Sequence, residues 1–363
     1  MAEQDRREDV TQSGQSTSEA GASRVGLEVV EAKGSHDVEV DHAAAEAATP
    51  AIAGRTPWEL AKIRLRRDKP TLLMLSVVVV ATVMAVVAPI LDHFKILKPN
   101  AINTALIDGN TGGLPRGAWG GTSWAHPLGL VPGTGSDVLS RLVLGVTFSL
   151  TISFLATLIS ITLGVVMGII AGFHGKKTDF WISRLVDMIL SFPQTLMLLA
   201  LSGTFVALIG SIIHDPNQGN PSKATYIILV LGFFGWPYIA RIIRGQVLSL
   251  REREFVEATK SLGAGKLRIY FKELLPNLWA PILVYFTLIM PTNISAEAAL
   301  SYLGVGIAPP TPTLGNVLTD SVQYAQGDFS YFLYSALFIA ILVLSFNLLG
   351  DGLRDALDPK GDR

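Results

Sequence analysis

The chain has 363 residues, of which 49% are hydrophobic and only 16% charged, with a formal net charge of -1. That balance supplies enough apolar residues for several membrane spans and makes a membrane protein the first reading. With no cysteine in the sequence, disulfides, thiolate metal sites and cysteine nucleophiles are excluded.

The charge is unevenly spread. Residues 1–54 hold 11 acidic and 4 basic residues and no Phe, Trp or Tyr, whereas the remainder holds 19 acidic and 25 basic. Such a segment cannot bury enough surface to offset chain entropy, so 1–54 reads as a disordered acidic tail. It lacks the basic start and apolar run of a secretory signal, and no cleavage is expected. Residues 55–69 follow as an amphipathic helix. Thr56-Pro57-Trp58-Glu59 has the form of a capping box with Pro at the first helical position, and Trp58, Ala61 and Leu65 share one face opposite Lys62, Arg64, Arg66 and Arg67. This helix suits the interface of the inner leaflet, with a plain basic linker as the alternative.

Charge-poor stretches near 20 residues then predict six spans, at about 70–91, 146–173, 188–212, 224–243, 277–303 and 329–350. The second stretch is long enough to require a break, placed at Gly145. Pro193 and Pro291 are expected to kink spans three and five. Lys and Arg number 6, 3, 8 and 3 in one alternating set of connections (55–69, 173–184, 241–279 and 351–363) and 3, 1 and 0 in the other (92–140, 215–223 and 305–328). The positive-inside rule puts both termini in the cytoplasm and 92–140 outside.

The basic connection at 250–276 reads as a helix-turn-helix. Phe255, Ala258, Thr259 and Leu262 recur at helical spacing, Gly263 sits where a left-handed residue ends a helix, and Gly265 opens a second helix that stops before Pro276. A helix of this kind either docks in a groove of another protein or lies on its own bundle. Glu297, the carboxylate closest to the interior of a span, reads either as structural gate packing or as a contact for substrate or a binding protein.

Two near-matches to a P-loop, Gly175-Lys176-Lys177-Thr178 and Gly265-Lys266-Leu267, lack its required residues, and His36, His42, His93, His126, His174 and His214 are dispersed without metal-ligand spacing. No catalytic group, cofactor or metal is expected. A secondary transporter remains the rival from another class, though neither midplane charges nor an inverted repeat is seen.

The order Glu257-Ala258, Gly263, Leu275-Pro276 resembles the EAA signature of ATP-binding-cassette importer permeases, with Thr259 in place of the usual second Ala and Glu273 where Ile is frequent. His126-Pro-Leu-Gly129, Asp137-Val-Leu-Ser-Arg141, Ser301-Tyr-Leu-Gly304-Val-Gly306, Pro309-Pro310-Thr311-Pro312 and the ending from Phe346-Asn347 to Asp358-Pro359 resemble the C-type subunit of the oligopeptide, dipeptide and nickel branch. Residues 130–136 depart from that pattern. The resemblance implies an all-α type I permease bundle that couples to ATPase subunits through Phe255, Glu257, Ala258, Leu262, Gly263, Leu275 and Pro276. It further implies a second permease, one or two ATPases and an extracytoplasmic binding protein as partners in the cell membrane, with no nucleic acid. Peptides are the expected substrate, with nickel or another small solute as the alternative.

Overall fold

The computed structural model describes residues 57–215, 217 and 219–357. The acidic tail, residues 55–56 and the Asp358-Pro359 ending lie outside them, as do the side chains of Trp58 and Ala61. Ten helices of eight residues or more can be labelled in chain order: α1 Pro57–Arg67, α2 Lys69–His93, α3 Val138–His174, α4 Lys176–Ser191, α5 Gln194–Ile212, α6 Asn220–Leu250, α7 Glu254–Ser261, α8 Trp279–Tyr302, α9 Leu314–Tyr324 and α10 Phe329–Leu357. Among the described residues, six helical stretches are long and apolar enough to cross a membrane, namely α2, α3, α5, α6, α10 and Lys266–Tyr302, which contains α8.

Several boundaries differ from the sequence expectation. No break occurs at Gly145: α3 runs unbroken for 37 residues, about 55 Å at 1.5 Å per residue, so it overhangs a bilayer core of about 30 Å. Gly145 is instead the point where the 313–314 backbone rests on α3, for a Cβ there would lie 3.2 Å from Leu314 N. The third stretch is not one kinked span. It divides at Phe192, with Pro193 as the residue capping α5, while 176–191 forms a separate amphipathic helix, α4. Proline lacks an N–H and disfavours helix in the residue before it, so a break explains this site better than a kink. Pro291, by contrast, lies buried inside α8.

The chain does not stop before Pro276 either. Lys266–Arg268 is α-helical, Ile269–Leu274 is π-helical and Leu275–Asn277 leads on to α8. Because Pro276 has no N–H, the Lys272 carbonyl loses its usual donor, and the ladder widens so that the Leu275 N–H reaches Tyr270 O.

The two most intimately packed helices, α3 and α6, meet along a seam of glycine. Gly164, Gly168 and Gly172 recur every fourth residue on α3 and face Ile239, Ile243 and Val247 of α6, where an added Cβ would come within 2.5–2.8 Å of the opposing Cβ atoms. Small residues at this spacing let helix backbones approach in an apolar medium, where burial by itself gives little drive to associate. A second apolar cluster joins α2, α3, α8, α9 and α10 through Val78, Leu142, Val146, Ile294, Leu314 and Leu342.

The 94–137 segment folds over the start of α3, with Ile107–Asp108 pairing antiparallel with Leu114–Pro115. Asp137 caps α3, accepting from the Ser140 N–H at 2.7 Å and the Ser140 hydroxyl at 2.6 Å, while His126 Nδ1 lies 3.1 Å from its other oxygen. The two motifs carrying His126 and Asp137 are thus one hydrogen-bonded unit. Beyond α8, α9 begins with a reciprocal capping box between Thr313 and Asn316.

Candidate functional site

The loop after α6 builds its geometry from its own backbone. α7 ends in a turn where Gly263 has φ +75°. Its N–H donates to Lys260 O at 2.9 Å and the Ala264 N–H to Thr259 O at 3.2 Å. That pair of bonds is a Schellman closure, which needs a left-handed residue and therefore favours glycine. Gly265 caps the following helical turn.

What holds α7 is Val256, fully buried among Val247, Ile243, Ile269, Leu274 and Leu278. The helix consequently turns Phe255 (38% exposed), Glu257, Ala258 and Leu262 (87% exposed) outward. Periodicity alone could not say which apolar edge faces in. Val256 is the residue that sequence reasoning missed, and its only signal was a second apolar position beside Phe255. Leu275 is half-buried in the same cluster and Pro276 is exposed at the junction with α8. Five of the seven expected coupling residues therefore share the exposed helix and its turn, whereas Leu275 and Pro276 act on the shape of the connection.

Polar contacts tie this loop to the span ends. Arg251 Nη1 donates to Gly172 O at 3.0 Å, and the Lys260 ammonium lies 5.2 Å from the centroid of the Phe173 ring. α4 is clamped to α6 by Arg241 to Asp187 at 2.5 Å and by a two-pronged Arg244 to Asp179 pair. The Arg244 guanidinium beside Asp179 holds its carboxyl below the usual carboxylate range.

Glu297 lies on a different face of the bundle. It is fully buried, its carboxylate accepting from the Ser149 hydroxyl at 2.8 Å and from the Ser301 hydroxyl at 3.0 Å. Ser149 in turn accepts from the Leu314 N–H at 3.0 Å. One carboxylate thus joins α3, α8 and the start of α9. Neither Pro193 nor Pro291 takes part in that network.

A cleft of about 600 Å³ opens between α5, α6 and α8, with Gln194, Thr195, Tyr238, Tyr285, Thr292 and Asn293 supplying its polar groups among apolar neighbours. Asn293 also donates to Thr157 Oγ1 at 2.9 Å, which fixes its amide. These six were not singled out from sequence. Positions 285, 289, 292 and 296 do follow a helical stripe, but uncharged polar residues in a span carry little signal against packing. Mixed apolar walls with a few hydrogen-bonding groups and no charge suit a ligand recognised through amides rather than through a fixed ionic group.

Comparison with known proteins adds the context. Residues 164–362 match the family model described as binding-protein-dependent transport system inner membrane component. The chain is 35% identical over 305 residues to the dipeptide transport system permease protein DppC of Alkalihalophilus pseudofirmus, covering 84% of this chain and 90% of that one. It is 33% identical to the oligopeptide transport system permease protein OppC of Bacillus subtilis, with coverage of 84% and 90%. Identity is likewise 33% to the glutathione transport system permease protein GsiD of Escherichia coli O6:K15:H31, with coverage of 84% and 91%.

Proposed function

The chain belongs to the binding-protein-dependent transport system inner membrane components, and from that membership we propose that it is one of two permease subunits of an ATP-driven peptide importer. The observation that carries the reading is the outward-turned edge of α7, with Phe255, Glu257, Ala258 and Leu262 presented beside the Gly263 turn while Val256 anchors the helix from beneath. An exposed helix with apolar and acidic residues on one edge, rooted in the core, suits docking to an ATPase subunit. ATP-driven closure of the ATPases then moves α7, and the cores of α3 and α6 to which it is rooted carry that motion into the bundle.

The relatives named for dipeptides, oligopeptides and glutathione support peptides as substrate. So does the chemistry of the cleft, whose amide and hydroxyl groups can pair with a peptide backbone whatever its side chains. A second permease supplies the facing wall, an external binding protein delivers the peptide on the 94–137 side, and both termini lie in the cytoplasm. The test is uptake by the reconstituted complex of a panel of labelled di- and oligopeptides and of nickel. ATP-dependent peptide accumulation is expected, and accumulation of nickel without peptide would overturn the substrate assignment.

A further inference from the structure

An apolar groove of about 400 Å³, with no lining residue in common with the cleft, runs between α3 and the 267–282 stretch, walled by Val165, Val166, Ile169, Leu267, Phe271 and Trp279. Its α3 wall extends from Ile161 to Ile170, about 13 Å at 1.5 Å per residue and close to half of a 30 Å hydrocarbon core. The groove is therefore about as long as the hydrocarbon of one leaflet.

Its loop-side end is closed by the Lys266 ammonium, the His174 ring and the Tyr270 hydroxyl. Tyr270 lines the groove, and its hydroxyl lies 3.0 Å from His174 Nδ1. The Lys266 ammonium lies 3.2 Å from His174 Nε2. An ammonium can only donate, so Nε2 accepts and the ring proton sits on Nδ1, within reach of Tyr270 and of Ile170 O. From Glu257 to Glu273 the sequence places Lys260, Lys266, Arg268 and Lys272 between the two flanking carboxylates, an excess of two positive charges. Lys266, Leu267 and Arg268 are all exposed, so the ammonium and the apolar wall meet at one mouth.

We propose that this groove holds one acyl chain of an anionic phospholipid from the loop-side leaflet, with its phosphate accepting from the Lys266 ammonium and the Tyr270 hydroxyl, both held in place by His174. An apolar slot of leaflet length ending in donors and positive charge is complementary to an amphiphile with an anionic head. The lipid would bridge the lower half of α3 to the widened π-helical turn beneath α7, at the place where the loop meets the span. This assignment rests on the membrane setting and is independent of the transported substrate.

Trp279 provides an internal reporter. The assembled complex is reconstituted in phosphatidylcholine with graded amounts of phosphatidylglycerol, either lipid carrying brominated acyl chains, and quenching is read as the difference between the native complex and Trp279→Phe. Brominated phosphatidylglycerol should quench at several-fold lower mole fraction than brominated phosphatidylcholine. Lys266→Gln should reduce that preference by about fivefold, as expected for one cation near a lipid surface, and Lys266→Arg should keep it. Equal quenching by the two lipids would show ordinary annular contact and overturn the proposal. Quenching by neither would mean that protein covers the groove, which overturns it equally. Relief of quenching by soluble glycerophosphate would identify a free-anion site instead and also refute the lipid assignment.

Discussion

At the scale of single residues, Gly263 and Glu297 bear the sharpest consequences. Gly263 has φ +75° with nothing within 4 Å of the position a Cβ would take. A substitution there meets backbone strain and no clash. Gly263→Val should therefore cost about 1 kcal/mol or more in the closure of α7, and more for a β-branched side chain. The subunit should still insert and assemble, while peptide uptake and peptide-stimulated ATP hydrolysis per assembled complex fall together. Normal hydrolysis and uptake per complex would show that the turn has no part in transmission. Glu297→Ala removes the acceptor shared by the Ser149 and Ser301 hydroxyls, leaving buried donors to find new partners at about 1–3 kcal/mol. A lowered thermal midpoint of the purified complex is expected, with Glu297→Gln milder because it retains an acceptor oxygen. The conformation of Gly263 was legible in the sequence because a helix end followed by glycine admits few geometries. The surroundings of Glu297 were not, since Ser149 is 148 positions away and spacing along one helix does not report what another helix presents.

At the scale of elements, the number of membrane-length helices followed from hydropathy, whereas their limits did not. The sequence broke α3 at Gly145 because a bilayer needs fewer than 37 residues, yet the Asp137 cap and the folded 94–137 segment sustain the helix beyond the core. α4 escaped notice because its Lys176, Lys177, Asp179, Arg184 and Asp187 interrupt the apolar run. The sequence analysis did not single out Gly164, Gly168 and Gly172, because glycines four apart gain meaning only when the structure identifies α6 as the partner. Gly168→Leu should force α3 and α6 apart, since a Cβ at 168 would lie 2.8 Å from Ile243 Cβ. Overpacking on that scale typically costs about 1–3 kcal/mol, enough to lower the yield of assembled complex and its thermal midpoint. Gly203→Leu, on α5 with open space around it, is the control and should leave both measurements unchanged.

At the scale of the whole molecule, charge predicts the orientation. Reporter fusions at residues 50, 178, 260 and 360 should show cytoplasmic activity, and those at 110, 218 and 315 the opposite, because 20 of the 24 Lys and Arg counted in the connections lie in one alternating set. Extracytoplasmic activity at 260 would reverse the placement of α7 and with it the ATPase contact. The seam between α3 and α6 also decides how such a contact is felt on the far side of the membrane. Two rods joined backbone to side chain, with no layer of long flexible side chains between them, have little slack in which to dissipate a push. They behave as one stiff beam about 55 Å long, fixed to the loop at Arg251 and Gly172 and braced at the other end by Asp137 and His126. Displacing the loop end by about 5 Å would then tilt the beam by about 5°, so a push at the loop would appear at the opposite end as a rotation of the 94–137 cap and not as local bending near α7.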